Sequence, residues 1–289
     1  MLNKERLRNK RREETVEIDI FSLVYLLLVI LMVVLLLFLS LHFVKKFIPV
    51  RSFEIVGDSV YEPNDLALAS GVEIGEKIFR VDIDEAEKTL LKKCPYIKTV
   101  NIKRNIFGKV RFVLECYIPL WYVEISGDCY VLDGELRVLE ETTDRERLYE
   151  SGLVYLTIPH IKSSIVGDFL IFGNSDGETE ETKKILQIIL DSPANEMICS
   201  ADIDNRYDVH FEFDKIVISE DEKGKEYREL DEIFTVNAGG YSKLATKLEY
   251  VTKAIMKEDL EGAVGGIIDV SDEGDKVSIR TKYASGENN

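Results

Sequence analysis

Residues 20–44, IFSLVYLLLVILMVVLLLFLSLHFV, contain no Asp, Glu, Lys or Arg. A helix built from this run is apolar on every face, which predicts a bilayer span rather than the one-sided stripe of a buried soluble helix. About 20 apolar residues at ~1.5 Å rise each cross a bilayer, so this run crosses with some tilt. Phe21, Tyr25 and Phe43 suit the two interfaces, and Lys45 and Lys46 close the span. A cleaved leader needs an apolar stretch of only ~7–15 residues and a small-residue cleavage site. The first Ala of the chain is Ala67, so the pattern predicts an uncleaved anchor.

Beyond the anchor the pattern shortens. In RSFEIVG, Phe53 and Ile55 share one face of a short strand that Gly57 ends. Pro63 suits a first helical turn, Leu66 with Ala69 or Ser70 forms its inner side, and Gly71 fits the C-terminal cap. A second helix is clearer. Asp82 or Asp84 can cap it, Ile83, Ala86, Leu90 and Cys94 recur at helical spacing, Lys92 and Lys93 fill the last turn, and Pro95 stops it. Two strands follow, YIKTVNIKR and KVRFVLEC, joined by the tight link NIFG. The order β-α-α-β-β predicts a two-layer α+β module over residues 49–118.

Residues 119–283 read as a mixed β domain with two helices. LWYVEI, CYVLDGELRVLE, EMICSADID, YDVHFEF, KIVIS and IFTVN are strand-like, with turns at Gly127-Asp128 and Asp133-Gly134 and a hairpin across Asn205-Arg206. In the third and fourth, Met197, Cys199, Ala201 and Ile203 alternate with polar neighbours, as do Tyr207, Val209, Phe211 and Phe213. ETEETKKILQIIL gathers Ile185, Leu186 and Ile189, and SKLATKLEYVTKAIM gathers Leu244, Leu248, Val251 and Ile255, both as core-facing stripes. GGIIDVS and KVSIRTK supply the last strands, and the chain ends in a frayed tail, 284–289.

Charge sets the orientation. Residues 1–19 form a solvated arm with six Lys or Arg, while Lys45, Lys46 and Arg51 follow the span. The excess predicts a cytoplasmic N-terminus and extracytoplasmic C-terminal domains at the cell membrane. Residues 45–289 hold 31 basic and 48 acidic residues, a net of −17, which excludes broad affinity for nucleic acid or anionic lipid. Cys94, Cys116, Cys129 and Cys199 show no CxxC spacing. An extracytoplasmic setting permits disulfides, but Cys94, Cys116 and Cys199 fall at inward positions, and free buried thiols are expected.

Catalytic chemistry finds little support. His42, His160 and His210 are not joined to Cys or carboxylate at metal-ligand spacing, and no Walker, G-x-S-x-G or H-E-x-x-H motif occurs. GAVGG reads as a cap and turn, and the many acidic residues as a solvated surface. No catalytic, cofactor-binding or metal-ligating residue is therefore assigned. The stretch DKVSIRTKY carries the sharper signal. Val277, Ile279, Thr281 and Tyr283 share one face, and Lys276, Ser278, Arg280 and Lys282 the other. Edge charges can simply block aggregation. A last strand is also an edge to which a partner can add a strand of its own.

The ordered set of a single span, FEIVGDSVYEPNDL and GEKIFRVDIDEAEKTLLKKCPYIKTVNIKRNIFGKVRFVLE resembles the POTRA module of the FtsQ/DivIB cell-division family. Gly57, Gly75, Phe79, Asp82, Pro95, Ile97, Val100, Ile102, Arg104 and Glu115 fall on the family's positions. The sequence departs from the pattern at ECYIPLWY, where the Pro comes one place late and Trp121 follows. The strand, Gly, K-L helix and closing I-D-V of the second half, with Asp269, resemble the family's β domain. The resemblance implies a non-catalytic scaffold at the division septum that gathers FtsB/DivIC-like and FtsL-like bitopic proteins for septal wall synthesis. It further implies that an FtsB/DivIC-like partner adds a strand at Lys276–Tyr283. Two other classes remain open: a membrane-anchored enzyme of the cell envelope, which needs a pocket of converging titratable groups, and a POTRA-bearing polypeptide-transport factor, which would usually show tandem modules and a β-barrel.

Overall fold

Helix α1 (Ile20–Lys45) takes up the charge-free run, and Ile20–Ser40 is long and apolar enough to cross a membrane. The computed structural model describes residues 20–45, 47–173, 176–214, 217–220, 226–229, 233–255, 263–271 and 277–283. The arm and the tail read from the sequence lie outside these.

After the anchor come β1 (Ser52–Val56), α2 (Pro63–Ser70), α3 (Ile83–Lys93), β2 (Ile97–Arg104) and β3 (Lys109–Cys116). The sheet order is β1-β3-β2, with β1 parallel and β2 antiparallel to β3. A parallel partner needs a long crossover, and the two helices lie within it. Their inner sides bury Leu66, Ala67, Ala86 and Leu90 with Ile78 against Ile102, Val110, Phe112 and Leu114. A fully buried side chain of the size of Phe112 or Leu66 contributes about 1.5–3 kcal/mol of transfer free energy.

The caps follow the sequence. Pro63 opens α2, and Gly71 ends it at φ 77°. Asp82 caps α3 by accepting a hydrogen bond from Glu85 N at 3.1 Å. Gly57 has φ +106°, and a Cβ there would stand 2.3 Å from the Leu114 carbonyl oxygen.

The second half builds one sheet of nine strands. In chain order these are β4 (Trp121–Ile125), β5 (Asp128–Leu132), β6 (Val138–Thr142), β7 (Val154–Thr157), β10 (Ile198–Asp202), β11 (Val209–Asp214), β14 (Ile233–Gly239), β15 (Ala263–Asp269) and β16 (Ser278–Tyr283). Their spatial order is β16-β15-β14-β11-β10-β7-β4-β5-β6. Two further ribbons stand apart: β8 (Ile161–Ser163) with β9 (Ile171–Phe172), and β12 (Val217–Glu220) with β13 (Glu226–Glu229). Of KIVIS, the described residues 217–219 therefore lie outside the large sheet.

Helices α5 (Asp176–Leu190) and α6 (Leu244–Ile255) cover one face. The stripes Ile185, Leu186, Ile189 and Leu244, Leu248, Val251, Ile255 all enter its core. Each helix is the crossover between two parallel strands, β7 to β10 and β14 to β15. Lys247 is buried and its Nζ donates to Ala238 O at 2.6 Å and Gly240 O at 3.0 Å, which closes the turn into α6.

The other face differs from the alternation read in the sequence. A β-bulge between Ile198 and Ser200 shifts the register of β10. Cys199 therefore leaves the face of Met197, Ala201 and Ile203 and joins the opposite side, beside Tyr122 and Tyr155. Cys129 is buried there too, with Tyr122, Val131, Leu139 and Leu148. Leu148 comes from a short third helix, α4 (Arg145–Glu150), which the two-helix reading lacks. Tyr207 begins the YDVHFEF alternation in the sequence but is exposed, because β11 starts two residues later. All four cysteines are free thiols, and burial raises the pKa of Cys94, Cys116 and Cys129.

Replacing Gly57 by Ala forces a left-handed backbone on a residue whose Cβ meets a strand carbonyl. The expected cost is about 1–3 kcal/mol or more, seen as a lower Tm. An unchanged melting curve for Gly57→Ala would contradict this account of the β1 terminus.

Candidate functional site

The two margins of the nine-stranded sheet are built differently. At the β6 margin, Val138 N donates to Asp168 O at 2.9 Å and Gly167 N donates to Val138 O at 2.8 Å, so a loop covers the strand's start. Arg137 adds to the cover, with its guanidinium 4.6 Å from the Phe169 ring and 5.1 Å from the Tyr117 ring. At the opposite margin, β16 pairs with β15 on its inner side, Ile268 opposite Ile279 and Ile267 opposite Arg280. Among the described residues no strand pairs with its outer side.

The side chains read from the sequence fall as follows. Val277 is half-buried and packs against the main core. Ser278, Ile279 and Arg280 are exposed, and Thr281 is half-buried. Lys282 and Tyr283 belong to the strand. Lys276 lies outside the described residues. Ile279 shares the core face with the fully buried Ile268, yet stays 39% exposed because it stands at the sheet's end. Ile267, on the reverse face beside Arg280, is also exposed. Each face of the margin thus carries partly covered apolar surface, and Ile279, on the outer strand, would adjoin an added strand.

Two features hold this margin and were not read as site elements. Gly265 has φ +123°, with Ile233 O 2.5 Å from a would-be Cβ, and Gly266 approaches Arg280 O to 2.4 Å by the same measure. GAVGG is neither a phosphate loop nor a simple turn. Its residues 263–266 lie in β15, where Gly265 and Gly266 allow the two outer strands to close around a register shift. Asp269 accepts from Ser271 N at 3.0 Å and from Ser271 Oγ at 2.6 Å. These bonds, with Arg280 nearby, hold its carboxyl below the ordinary range. Its role is to fix the exit of β15.

A cleft of about 410 Å³ opens on the face away from α5 and α6, lined by Tyr122, Arg145, Tyr155, Cys199 and Glu212 among others. Two of its polar groups have defined partners. The Arg145 guanidinium bonds Glu124 at 3.1 Å and stands 4.9 Å from the Tyr155 ring, and Cys199 Sγ donates to Glu212 O at 3.3 Å. Burial raises the pKa of Tyr122, away from any role as a base near neutrality. Among the described residues no group of three metal-ligating side chains occurs. His210 does have a carboxylate, Asp208 Oδ1 at 3.1 Å, with Asn237 Oδ1 at 3.0 Å from its other nitrogen. Burial alone would lower its pKa, but these two hydrogen bonds outweigh it and hold it above 6.5.

These features define an α+β protein with one long apolar N-terminal helix, a POTRA-like module and a β domain whose β16 margin is unpaired among the described residues. A model of the POTRA domain of FtsQ type matches residues 48–115. The cell division protein DivIB of Clostridium tetani (strain Massachusetts / E88) is 22% identical over 241 residues, covering 83% of this chain and 82% of that relative. The chain thus carries an FtsQ-type POTRA domain and is similar over most of its length to a DivIB cell division protein, which supports its reading as a relative of the FtsQ/DivIB proteins.

Two outcomes test this geometry. Gly266→Ala should push β16 off β15, lowering hydrogen-exchange protection of residues 278–283 by about tenfold or more while the core strands keep theirs. Retained protection in β16 would refute the close approach. A raised His210 pKa contributes stability that is full below the ordinary value of ~6.5 and is lost as pH rises through the folded value. Asp208→Asn should therefore move the His210 NMR titration midpoint downward, and an unmoved midpoint would show the pair to be idle.

Proposed function

We propose that this protein is a non-catalytic scaffold of the division machinery, anchored by α1 with residues 1–19 in the cytoplasm and residues 49–118 and 119–283 forming two docking bodies outside. The observation that carries this reading is β16: an outer strand that is unpaired on that side among the described residues, with exposed Arg280 and Ile279, on a sheet whose other margin is covered. An extended segment of an FtsB/DivIC-like bitopic protein would pair with its main chain. Ile279 would extend the apolar layer, and Arg280 and Lys282 would select against basic segments. An FtsL-like protein would join through that partner. The anchor holds all of them at one surface, where effective concentration replaces part of the intrinsic affinity.

The non-catalytic reading rests on the similarity to a cell division protein.

Replacing Ile279, Arg280 and Lys282 together by Ala should weaken capture of the FtsB/DivIC-like partner by about tenfold or more, which is at least ~1.4 kcal/mol. The Tm should stay near that of the parent, since Ile279 and Arg280 lie on the exposed margin. Undiminished capture would remove the edge from the reading. A fluorescent fusion spread evenly round the envelope at every stage of division would remove the septal role.

A further inference from the structure

The segment that leaves the anchor is tied into the small sheet's near end. Val50 N donates to Glu76 O and Gly75 N donates to Val50 O, each at 2.8 Å. Ile78 N donates to Ile48 O at 2.9 Å, and Arg51 N donates to Gly108 O at 2.7 Å. Three loops, 48–51, 72–78 and 104–108, therefore make one surface. Arg51 is six residues past the end of α1, so this surface begins within ~21 Å of the helix end even along a fully extended chain.

That surface is apolar where it is most exposed. Phe47, Ile74, Ile106 and Phe107 are 60%, 66%, 56% and 74% exposed, and all four lie at this end of the sheet. Cations border them. Lys77 Nζ lies 5.5 Å from the Phe47 ring centroid, and Arg51, Lys103 and Arg104 are exposed. Arg104 is held in place by its bonds to Ile78 O at 3.1 Å and Val81 O at 3.0 Å. Of the acidic groups at this end, Asp82 caps α3 and Glu54 pairs with Lys109 and Arg111, while Glu73, Glu76 and, in the first turn of α3, Asp84 and Glu85 are exposed. Aromatic and aliphatic tips bordered by Lys and Arg are what the headgroup layer of a bilayer accommodates.

The bilayer is also the surface that chain continuity brings to this place. The 26 residues of α1 are about 39 Å long, more than the ~30 Å hydrocarbon core, so its end reaches the headgroups. We propose that the loop surface carrying Phe47, Ile74, Ile106 and Phe107 is a second membrane contact. The tip of the β2–β3 hairpin inserts Ile106 and Phe107 into the headgroup layer, and the cations face lipid phosphates. The inference rests on reading α1 as a span. It fixes how the three-stranded sheet stands on the membrane, with the Cys116 end of β3 pointing away from lipid.

The test uses the full chain reconstituted in vesicles of phosphatidylglycerol and phosphatidylcholine, with and without lipids brominated near the headgroup end of the acyl chain. Trp121, the one tryptophan of the chain, is fully buried and gives a constant background. Single probes are read against it: Phe107→Trp at the hairpin tip, Leu31→Trp in α1, and Val60→Trp, exposed at the far end of the sheet. Insertion to ~5–10 Å predicts that the Phe107→Trp probe loses about half its emission to brominated lipid and shifts to the blue. The Val60→Trp probe should do neither. If the Phe107→Trp probe behaves like the Val60→Trp probe while the Leu31→Trp probe is quenched, the second contact is overturned and the span stands. If the Leu31→Trp probe escapes quenching as well, the span reading fails and takes this inference with it. A Phe107→Trp probe shielded from both aqueous iodide and brominated lipid would assign the loop surface to a protein partner, which also overturns it.

Discussion

A strand at the end of a sheet leaves a row of backbone N–H and C=O groups that must meet water, a covering loop or another strand. This constraint shapes the larger half of the molecule. The loop of residues 165–170 covers one margin through hydrogen bonds to Val138 and Leu136. The other margin ends in β16, whose exposed cation and half-covered Ile279 keep it soluble without closing it. The glycines of β15 serve the same end, because Gly266 lets the last strand approach closely enough to pair while a register shift bends the margin. A bulge of this kind discourages indiscriminate edge-to-edge pairing and favours a partner whose strand follows the bend.

Much of the fold was legible because its signals are local. The charge-free run, the Pro and Gly around α2, the Asp82 cap and the stripes of α5 and α6 each specify an element through neighbouring residues alone. What escaped depends on distant parts of the chain. The six residues RERLYE of α4 are too short and too polar to show a stripe, and they become helical with Leu148 buried under the far face of the sheet. Cys199 was placed on the wrong face because one extra residue in β10 breaks the period-two rule, and only pairing with β11 reveals it. The edge strand was legible as an edge from its position and charge. Its neighbours Ile267, Gly265 and Gly266 were not, since their part in the site depends on register.

The residues that carry the family resemblance turn out to be builders. Gly57 permits a strand end beneath a carbonyl, Asp82 caps a helix, Phe79 stacks under Arg104 at 5.3 Å, and Arg104 fastens two loop carbonyls. Glu115 pairs with Lys98 at 3.0 Å in an exposed ion pair of small energetic weight. These positions identify the POTRA architecture, but they leave open what the protein binds. A fold-level likeness gives an architecture, and a function has to be argued from a surface. Here that surface lies far along the chain from the motif.

The two sheets are also in contact. Tyr96, next to the Pro95 that stops α3, donates its hydroxyl to Glu140 of β6 at 2.7 Å, and Arg147 of α4 pairs with the same carboxylate. Burial and the bond to Glu140 raise the Tyr96 pKa, so the phenol keeps its proton and the contact persists across the physiological range. Tyr61, edge-on to Tyr96 at 6.2 Å, is pushed up to about 12 by burial and is likewise neutral. A junction of neutral phenols with one shared carboxylate is little altered by pH near neutrality, and its partial burial shields it from salt. It limits the freedom of the β domain relative to the module beneath it. Residues 45–289 carry a net −17, and repulsion would otherwise favour separation of the two bodies. Holding them together restricts the orientations in which the β16 edge can be presented.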